Sequence, residues 1–195
     1  MKVVHMESDS LEALIEHRRR LGIGQLDECW KGVWHLVDPT GRHQWICGKI
    51  YSIHDEVVGN PGSGTAWISI NVTDREIDWT HNHRCPDGAV ILKSNPGRWI
   101  GDDQVAFLGG PDLILEVDGD DGETHRKFAF YGPLGVKEVL IVHQKTRTPE
   151  LWRLKGARYK TIEGVQKSEV TGLEYSKGPG GLEVRDPATG RGWVV

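Results

Sequence analysis

Cysteine is scarce in this chain of 195 residues, which contains only Cys29, Cys47 and Cys85. The three are far apart, and no Cys-x-x-Cys pair occurs. That spacing argues against both a disulfide framework and a structural zinc site. We therefore expect three small, buried thiols.

Long apolar runs and an excess of basic charge are missing as well. No run of about 18 apolar residues occurs, so no membrane-spanning helix and no membrane partner is predicted. The first residues also lack the apolar stretch of a secretory signal, and we expect a cytoplasmic protein. The formal net charge is −4. A nonspecific nucleic-acid binder carries a basic stripe, so any DNA contact here must be local or assisted by a metal.

The pattern of apolar residues predicts one domain over residues 1–195, with a core at about 10–160 and a C-terminal hairpin extension at 161–195. The order of elements indicates an α/β or α+β fold, with a mixed central sheet flanked by helices and with β-hairpins at its edges. The segment 94–110 is expected to be a loop. The other predicted elements that matter below are a hairpin (28–30 against 33–37), helices at about 43–58 and 123–134, and strands at 89–93, 112–117 and 138–143.

Three carboxylates lie at or near the ends of predicted strands. Glu116 is in the apolar strand 112–117, where an unpaired charge is costly, so it either forms a salt bridge or binds a cation. Asp87 precedes a second apolar strand and, taken alone, fits a turn (Pro-Asp-Gly) better than a site. Glu28 begins the hairpin and is unremarkable by itself. Together the three form a pattern that suits a metal site.

Carboxylate oxygens are the ligands that Mg²⁺ prefers. A bound metal lowers the pKa of a water and neutralises phosphate charge, and a nearby lysine can hold or deprotonate that water. Lys127, on the predicted helix after Glu116, is the candidate. This combination suits the hydrolysis of a phosphodiester bond.

The central sequence resembles the Uma-two family of putative restriction endonucleases, within the PD-(D/E)XK nuclease superfamily. The resemblance covers about residues 10–192. It rests on Pro86-Asp87, on Glu116-Val117, on Lys127 with Tyr131 four positions later, and on the segment 135–138 (Gly-Val-Lys-Glu). Glu28, four residues before a glycine, and His43, at the start of a helix, fit the family pattern too.

The resemblance implies a catalytic set of Asp87, Glu116, Lys127 and Glu28. Asp87 and Glu116 would bind Mg²⁺ or Mn²⁺, and Lys127 would be a catalytic lysine displaced from the strand to the next helix. Asp118 stands where the broader superfamily has that lysine, and His43, Tyr131 and Asp118 would support the site. The implied substrate is double-stranded DNA, and a homodimer is expected because cutting two strands is easier with two sites.

One departure keeps a second hypothesis open. After Glu-Val the family usually has a small residue, Ser and Pro, whereas this chain has acids at 118, 120, 121 and 123. These acids could add a metal ligand or repel a DNA backbone. The alternative is therefore a weakly active or inactive protein of the same fold that binds nucleic acid or protein. RNA or branched DNA is a third substrate hypothesis.

Overall fold

The computed structural model describes residues 8–22, 24–119 and 122–195. In these residues there are four α-helices, two of them one turn long, and sixteen strands; a π-helical turn (Asp55–Gly59) continues the second α-helix, and two 3-10 turns occur at Trp79–His81 and Asp102–Gln104. The helices are α1 (Ser8–Arg20), α2 (Gly41–His54), α3 (Glu123–Arg126) and α4 (Phe128–Tyr131). The strands are β1 (Glu28–Trp30), β2 (Val33–His35), β3 (Gly64–Ile68), β4 (Val72–Thr73), β5 (His83–Arg84), β6 (Gly88–Leu92), β7 (Arg98–Ile100), β8 (Ala106–Leu108), β9 (Leu113–Asp118), β10 (Glu138–His143), β11 (Pro149–Lys155), β12 (Arg158–Thr161), β13 (Gln166–Lys167), β14 (Glu174–Gly178), β15 (Gly181–Arg185) and β16 (Gly192–Val194).

The central sheet has six strands in the order β12-β11-β10-β9-β6-β3. β9 and β10 are parallel, and the other neighbours are antiparallel. The predicted mixed sheet is therefore confirmed. β9 lies in its interior and is buried along its whole length, which explains why both of its faces carry apolar residues.

Successive side chains of β9 pack against different layers. Leu115 and Val117 pack against α2, through Ile46 and Ile50, in a core that also contains the C-terminal sheet. Ile114 packs instead in a cluster with Tyr131 of α4. The alternation places Glu116 on the same face as Ile114, toward the segment that carries Lys127.

The predicted helix at 123–134 is wrong in its extent, because two one-turn helices, α3 and α4, occupy this segment and Lys127 lies between them. The Lys127 N–H donates to the carbonyl of Thr124, three residues back, rather than four. After Tyr131 the chain turns, since Pro133 lacks an N–H and Gly135 has a φ of 78°. Tyr131 N–H still donates to the Lys127 carbonyl, so one helical turn joins these two residues.

A second sheet has the order β2-β1-β5-β4-β8-β7. It contains the predicted hairpin of β1 and β2, and it corrects the prediction of a loop at 94–110, since β7 and β8 pair there. The two strands are held by apolar contact: Trp99 lies edge-on to Phe107 at 5.4 Å, and Ile100 is buried. The surrounding Gly, Pro and Asp residues are typical of loops, so the sequence pattern does not indicate such short strands.

The C-terminal sheet, β13-β14-β15-β16, is antiparallel and contains the expected last hairpin, β15 with β16. Glu138, at the start of β10, fixes the chain that leads into this sheet. It accepts hydrogen bonds from Ser168 Oγ (2.5 Å) and the Glu169 N–H (3.0 Å), and Arg153 pairs with it at 2.8 Å.

All three cysteines are free and buried, as the sequence predicts. Across the ranges that the structure describes, no helix has both the length and the apolar character needed to cross a membrane.

Candidate metal and catalytic site

A cleft of ≈ 210 Å³ opens at the carboxyl ends of the parallel strands β9 and β10. This is the edge where ligands bind in many sheets with parallel strands. The cleft brings together most of the sequence-predicted site residues. Its lining includes Glu28, His43, Asp87, Glu116, Asp118 and Lys127.

Asp87 enters the cleft because β6 begins one residue later. β6 pairs with β9 only as far as Leu115, so the next outward N–H of β9, at Val117, has no strand partner on that side. Asp87 Oδ2 accepts that N–H at 2.7 Å. Its side chain is 20% exposed against 5% for Glu116. Asp87 is thus held through one carboxylate oxygen, and its side chain lies on the solvent side of the cleft.

Glu28 comes from the second sheet and is almost completely buried. Its Oε1 accepts a hydrogen bond from the Cys85 N–H at 2.9 Å, and its Oε2 accepts one from Trp30 Nε1 at 2.7 Å. Cys85 directly follows β5, which pairs with β1. The small sheet therefore fixes Glu28 beside the segment that leads to Asp87.

Lys127 connects the two sheets. Its Nζ lies 2.8 Å from Glu28 Oε1 and 3.0 Å from Glu116 Oε2. Burial opposes the charged ammonium, but the charges of Glu116 and Glu28 outweigh it and raise the pKa of Lys127. Lys127 is therefore a protonated hydrogen-bond donor at neutral pH, and it cannot accept a proton in this state.

Glu116 has the opposite response to burial. Desolvation, together with the charges of Asp87 and Glu28, raises its pKa to about 7, although Lys127 and a hydrogen bond from Tyr131 act against the shift. The Tyr131 hydroxyl donates to Glu116 Oε1 at 2.7 Å. Burial raises the pKa of Tyr131 well above its usual value, so the phenol stays neutral.

His43 lies at the start of α2, where the Thr40 side chain caps the helix. Its Nε2 is 3.2 Å from Asp87 Oδ2. Burial lowers the pKa of His43, but the hydrogen bond and charge of Asp87, aided by Glu116, outweigh burial, and the net result is a raised pKa. His43 thus orients the Asp87 carboxylate, and a protonated imidazole partly neutralises its negative charge.

Asp118, at the end of β9, is buried and lines the same cleft. Its carbonyl accepts the Gln144 N–H at 2.9 Å. Glu123 also lines the cleft, whereas Asp120 and Asp121 of the acidic segment lie outside the described residues.

The carboxylates in the cleft are donors of the chemical kind that divalent cations bind. Glu28, Asp87 and Glu116 present carboxylates to one cleft in which Lys127 is the ammonium that pairs with two of them. Burial is the main cause of the raised pKa of Glu116, and the negative charges of Asp87 and Glu28 add to it. Carboxylate oxygens are the hard ligands that Mg²⁺ and Mn²⁺ prefer. Of the three carboxylates, Asp87 is the one with substantial access to solvent.

Sequence reasoning treated Cys47 as a buried thiol and did not single out Arg84. Cys47 lies four residues after His43 on α2, and its Sγ is 3.5 Å from His43 Nδ1; this helical spacing was visible in the sequence. Arg84 is buried behind Glu28, with its guanidinium 4.4 Å from the ring centre of Trp30 and 4.3 Å from that of Phe130. No local pattern marks Arg84, because its partners come from distant parts of the chain.

The chain matches both a protein-family model and solved structures. The model of the Uma2 family, described as "Putative restriction endonuclease", matches residues 28–177. The fold is similar to that of a crystal structure described as a putative nuclease belonging to DUF820 from Anabaena variabilis ATCC 29413, with a TM-score of 0.60 and 16% sequence identity over 77% of this chain and 86% of that one. Among proteins with curated descriptions, none matches this chain.

Proposed function

Because the chain belongs to the Uma2 family of putative restriction endonucleases, we propose that it is a metal-dependent endonuclease that hydrolyses DNA phosphodiester bonds. Double-stranded DNA is the proposed substrate, and the cytoplasm is the proposed location. The observation that carries this proposal is the contact of one ammonium, Lys127 Nζ, with both Glu28 and Glu116 in the cleft that also contains Asp87.

Asp87 and Glu116 are the residues that would hold Mg²⁺ or Mn²⁺, with Glu28 assisting. A metal in such a site supplies charge neutralisation at the phosphate and a more acidic bound water. The surrounding residues set the orientation of the carboxylates: the Val117 N–H and His43 hold Asp87, and Tyr131 holds Glu116.

Lys127 acts in this proposal as a donor and a positive charge. Since its pKa is raised, it stays protonated, and its N–H groups can orient a water or stabilise the charge that develops on the phosphate. Glu28, fixed by the Cys85 N–H and by Trp30, keeps the lysine in place. We assign no proton-accepting role to Lys127.

The proposed assembly is a homodimer, because two sites allow both strands of a duplex to be cut. The alternative function is that of a binding module with the same fold and no nuclease activity. The cleavage experiment below distinguishes it from a nuclease. Its distinguishing result is binding of nucleic acid with no metal-dependent cleavage.

The test is nicking of supercoiled plasmid by the purified full chain with Mg²⁺ or Mn²⁺. We expect Lys127→Ala and Glu116→Gln each to reduce the nicking rate by about 100-fold or more, the loss typical for removal of one charge-stabilising group. Lys160→Ala is the matched control. Lys160 lies in β12, in register with Arg153 of the neighbouring strand β11, at the end of the sheet opposite the cleft. The nicking rate of this variant should equal that of the wild type.

Structured RNA and branched DNA are assayed in parallel, because the same site could act on either. Faster cleavage of one of them than of the duplex would replace the proposed substrate. Nicking that is unchanged in both Lys127→Ala and Glu116→Gln would overturn the assignment of the site.

A further inference from the structure

A second group of potential metal ligands, of a different chemical character from the carboxylates, lies at the wall of the cleft, which two of its three members line. His43, Cys47 and Asp87 each offer one donor atom, and these atoms lie within 4.8 Å of one another. His43 and Cys47 lie one turn apart on α2, so the helix itself sets their spacing. Asp87 reaches them from the start of β6, where its 3.2 Å contact with His43 is already formed.

The donors are an imidazole nitrogen, a sulfur and a carboxylate oxygen. Sulfur is a poor ligand for Mg²⁺, which takes oxygen ligands, whereas a mixed set of this kind suits Zn²⁺ and Co²⁺. His43 and Asp87 also line the cleft, which leaves one side of the group open to solvent. Three protein ligands with an open fourth position form the usual arrangement of a non-structural zinc site.

We propose that His43, Cys47 and Asp87 bind a Zn²⁺-class ion beside the proposed Mg²⁺ site. The Cys47 thiol gives up its proton to solvent as the metal binds, because the ligand is the thiolate. Asp87 belongs to both ligand sets, so the two kinds of metal compete for it. Zn²⁺ therefore lowers the occupancy of Mg²⁺ in the cleft rather than adding to it.

The group could instead be a nucleophile and its base, as in a Cys-His hydrolase. Burial, together with the charges of Asp87 and Glu116, raises the pKa of Cys47, which keeps the thiol protonated in the absence of metal. An activated nucleophile requires the reverse shift. A protonated thiol is a poor nucleophile, whereas a metal ion held by His43 and Asp87 can displace the thiol proton.

The experiment is a Co²⁺ titration of the metal-free full chain under reducing, oxygen-free conditions. We expect one equivalent to produce a near-ultraviolet sulfur-to-cobalt charge-transfer band, which Zn²⁺ removes by displacement. Cys47→Ala should abolish the band. Asp87→Asn and His43→Ala should weaken Co²⁺ affinity by more than about 10-fold, the loss that even an indirect partner of a ligand can cause.

Cys29→Ser is the matched control, because the Cys29 thiol is buried elsewhere and donates to the His81 carbonyl. Its band should equal that of the wild type. Thermal unfolding of each variant shows whether the fold is retained, and Cys47→Ser serves as a second variant if Cys47→Ala does not fold. A wild-type protein with no charge-transfer band, or a band that survives in a folded Cys47 variant, overturns the proposal.

A separate surface observation concerns four residues that we call the Trp45 patch: Arg42, Trp45, Lys49 and Arg147. Trp45 is 50% exposed, and Lys49 Nζ and Arg147 Cζ each lie 5.8 Å from its ring centre. Burial and the nearby charge of Arg42 both lower the pKa of Arg147, so like charges are gathered here. Within residues 8–22, 24–119 and 122–195, no carboxylate forms a salt bridge with these three cations.

The Trp45 patch adjoins the cleft. Arg147 Nη1 donates to the Gln144 carbonyl at 2.6 Å, and Gln144 Nε2 donates to Thr40 Oγ1 at 2.9 Å. Gln144 and Thr40 both line the cleft. A local group of cations on a protein with a net charge of −4 indicates an anionic partner at this place.

We infer that the Trp45 patch binds the phosphate backbone of duplex DNA next to the cleft, an inference that rests on the proposed function. Trp45 holds the Lys49 and Arg147 heads by cation–π contact, within the range of about 6 Å at which such contacts form. The patch carries no base-reading geometry, so it contributes affinity without sequence preference.

The test measures the affinity of the full chain for a fluorescent duplex as a function of salt, in EDTA so that no cleavage occurs. Each of Arg42→Ala, Lys49→Ala and Arg147→Ala should make the negative slope of log affinity against log salt shallower by about 0.9. Lys160→Ala, at the other end of the sheet, should leave the slope unchanged. Slopes that are unchanged in all three patch variants overturn the inference. Altered slopes without any plasmid nicking would instead support the patch and reject the nuclease proposal.

Discussion

The ammonium of Lys127 lies 3.1 and 3.0 Å from the two carboxylate oxygens of Glu116, although 11 positions separate the residues in the sequence. The contact spans from the face of a central strand to the junction of two one-turn helices. Its geometry depends on both sheets, because Glu28 of the second sheet shares the same ammonium.

The first prediction concerns the stability that this ammonium provides. Lys127→Met should leave Glu28 and Glu116 buried without their cation, a change that costs about 3–5 kcal/mol of unfolding free energy in buried pairs. The loss should be larger at pH 8 than at pH 5.5, since protonated Glu116 no longer repels Glu28. Urea unfolding at the two pH values measures the difference. Lys160→Met, an exposed control, should stay within about 0.5 kcal/mol of the wild type. An equal loss at both pH values would contradict this account of Glu116.

The second prediction follows from the Glu116 pKa of about 7. A cation binds the carboxylate form, so below pH 7 binding must displace a proton. Mg²⁺ affinity should rise with pH up to about 7 and then level off. Calorimetry in buffers of different ionisation enthalpy should detect close to one released proton at pH 6 and almost none at pH 8.5, as linkage requires. The same proton release in Glu116→Gln would show that another group titrates.

A third prediction separates Tyr131 from the metal ligands. The Tyr131 hydroxyl stabilises the charged form of Glu116 through its 2.7 Å hydrogen bond. Tyr131→Phe should therefore raise the Glu116 pKa and move the pH dependence of Mg²⁺ affinity upward, with little change at pH 9. Since hydrogen bonds to charged groups contribute about 1.5–3 kcal/mol, the shift should be about one pH unit or more. A uniform loss of affinity at every pH would indicate that the hydroxyl acts in another way.

The sequence predicted the central strand well because its burial is encoded locally. Leu113, Ile114 and Leu115 are apolar without alternation, which is the pattern of an interior strand, and β9 lies in the sheet interior. The alternation of side chains along the strand also places Glu116 on the face of β9 that is directed toward Lys127. This part of the candidate site could therefore be derived from the residues.

Other parts of the site could not be derived in that way. Asp87 holds the Val117 N–H only because β6 begins at Gly88, and composition does not fix where a strand begins. The residue pattern grouped Glu28 with the other two carboxylates, but its contact with Lys127 depends on how the second sheet docks, which the pattern does not specify. The sequence did not predict that the helix is interrupted at Lys127. Lys127 and Tyr131 are four residues apart, as in a continuous helix, and one helical turn still joins them.

The last prediction tests whether the Glu138 of the family-like segment 135–138 belongs to the site. Glu138 lies at the opposite end of β10 from the cleft, where it pairs with Arg153 and accepts the Ser168 hydroxyl. Glu138→Ala should leave buried donors and Arg153 without their partner, at a cost of about 3–5 kcal/mol of unfolding free energy. The pH dependence of Mg²⁺ affinity in the folded fraction should stay that of the wild type, because no described residue that lines the cleft forms a hydrogen bond or salt bridge with Glu138. Chemical unfolding and calorimetry on the same preparation measure the two effects. A change in Mg²⁺ affinity of more than about 10-fold with the fold intact would mean that this glutamate acts on the metal site.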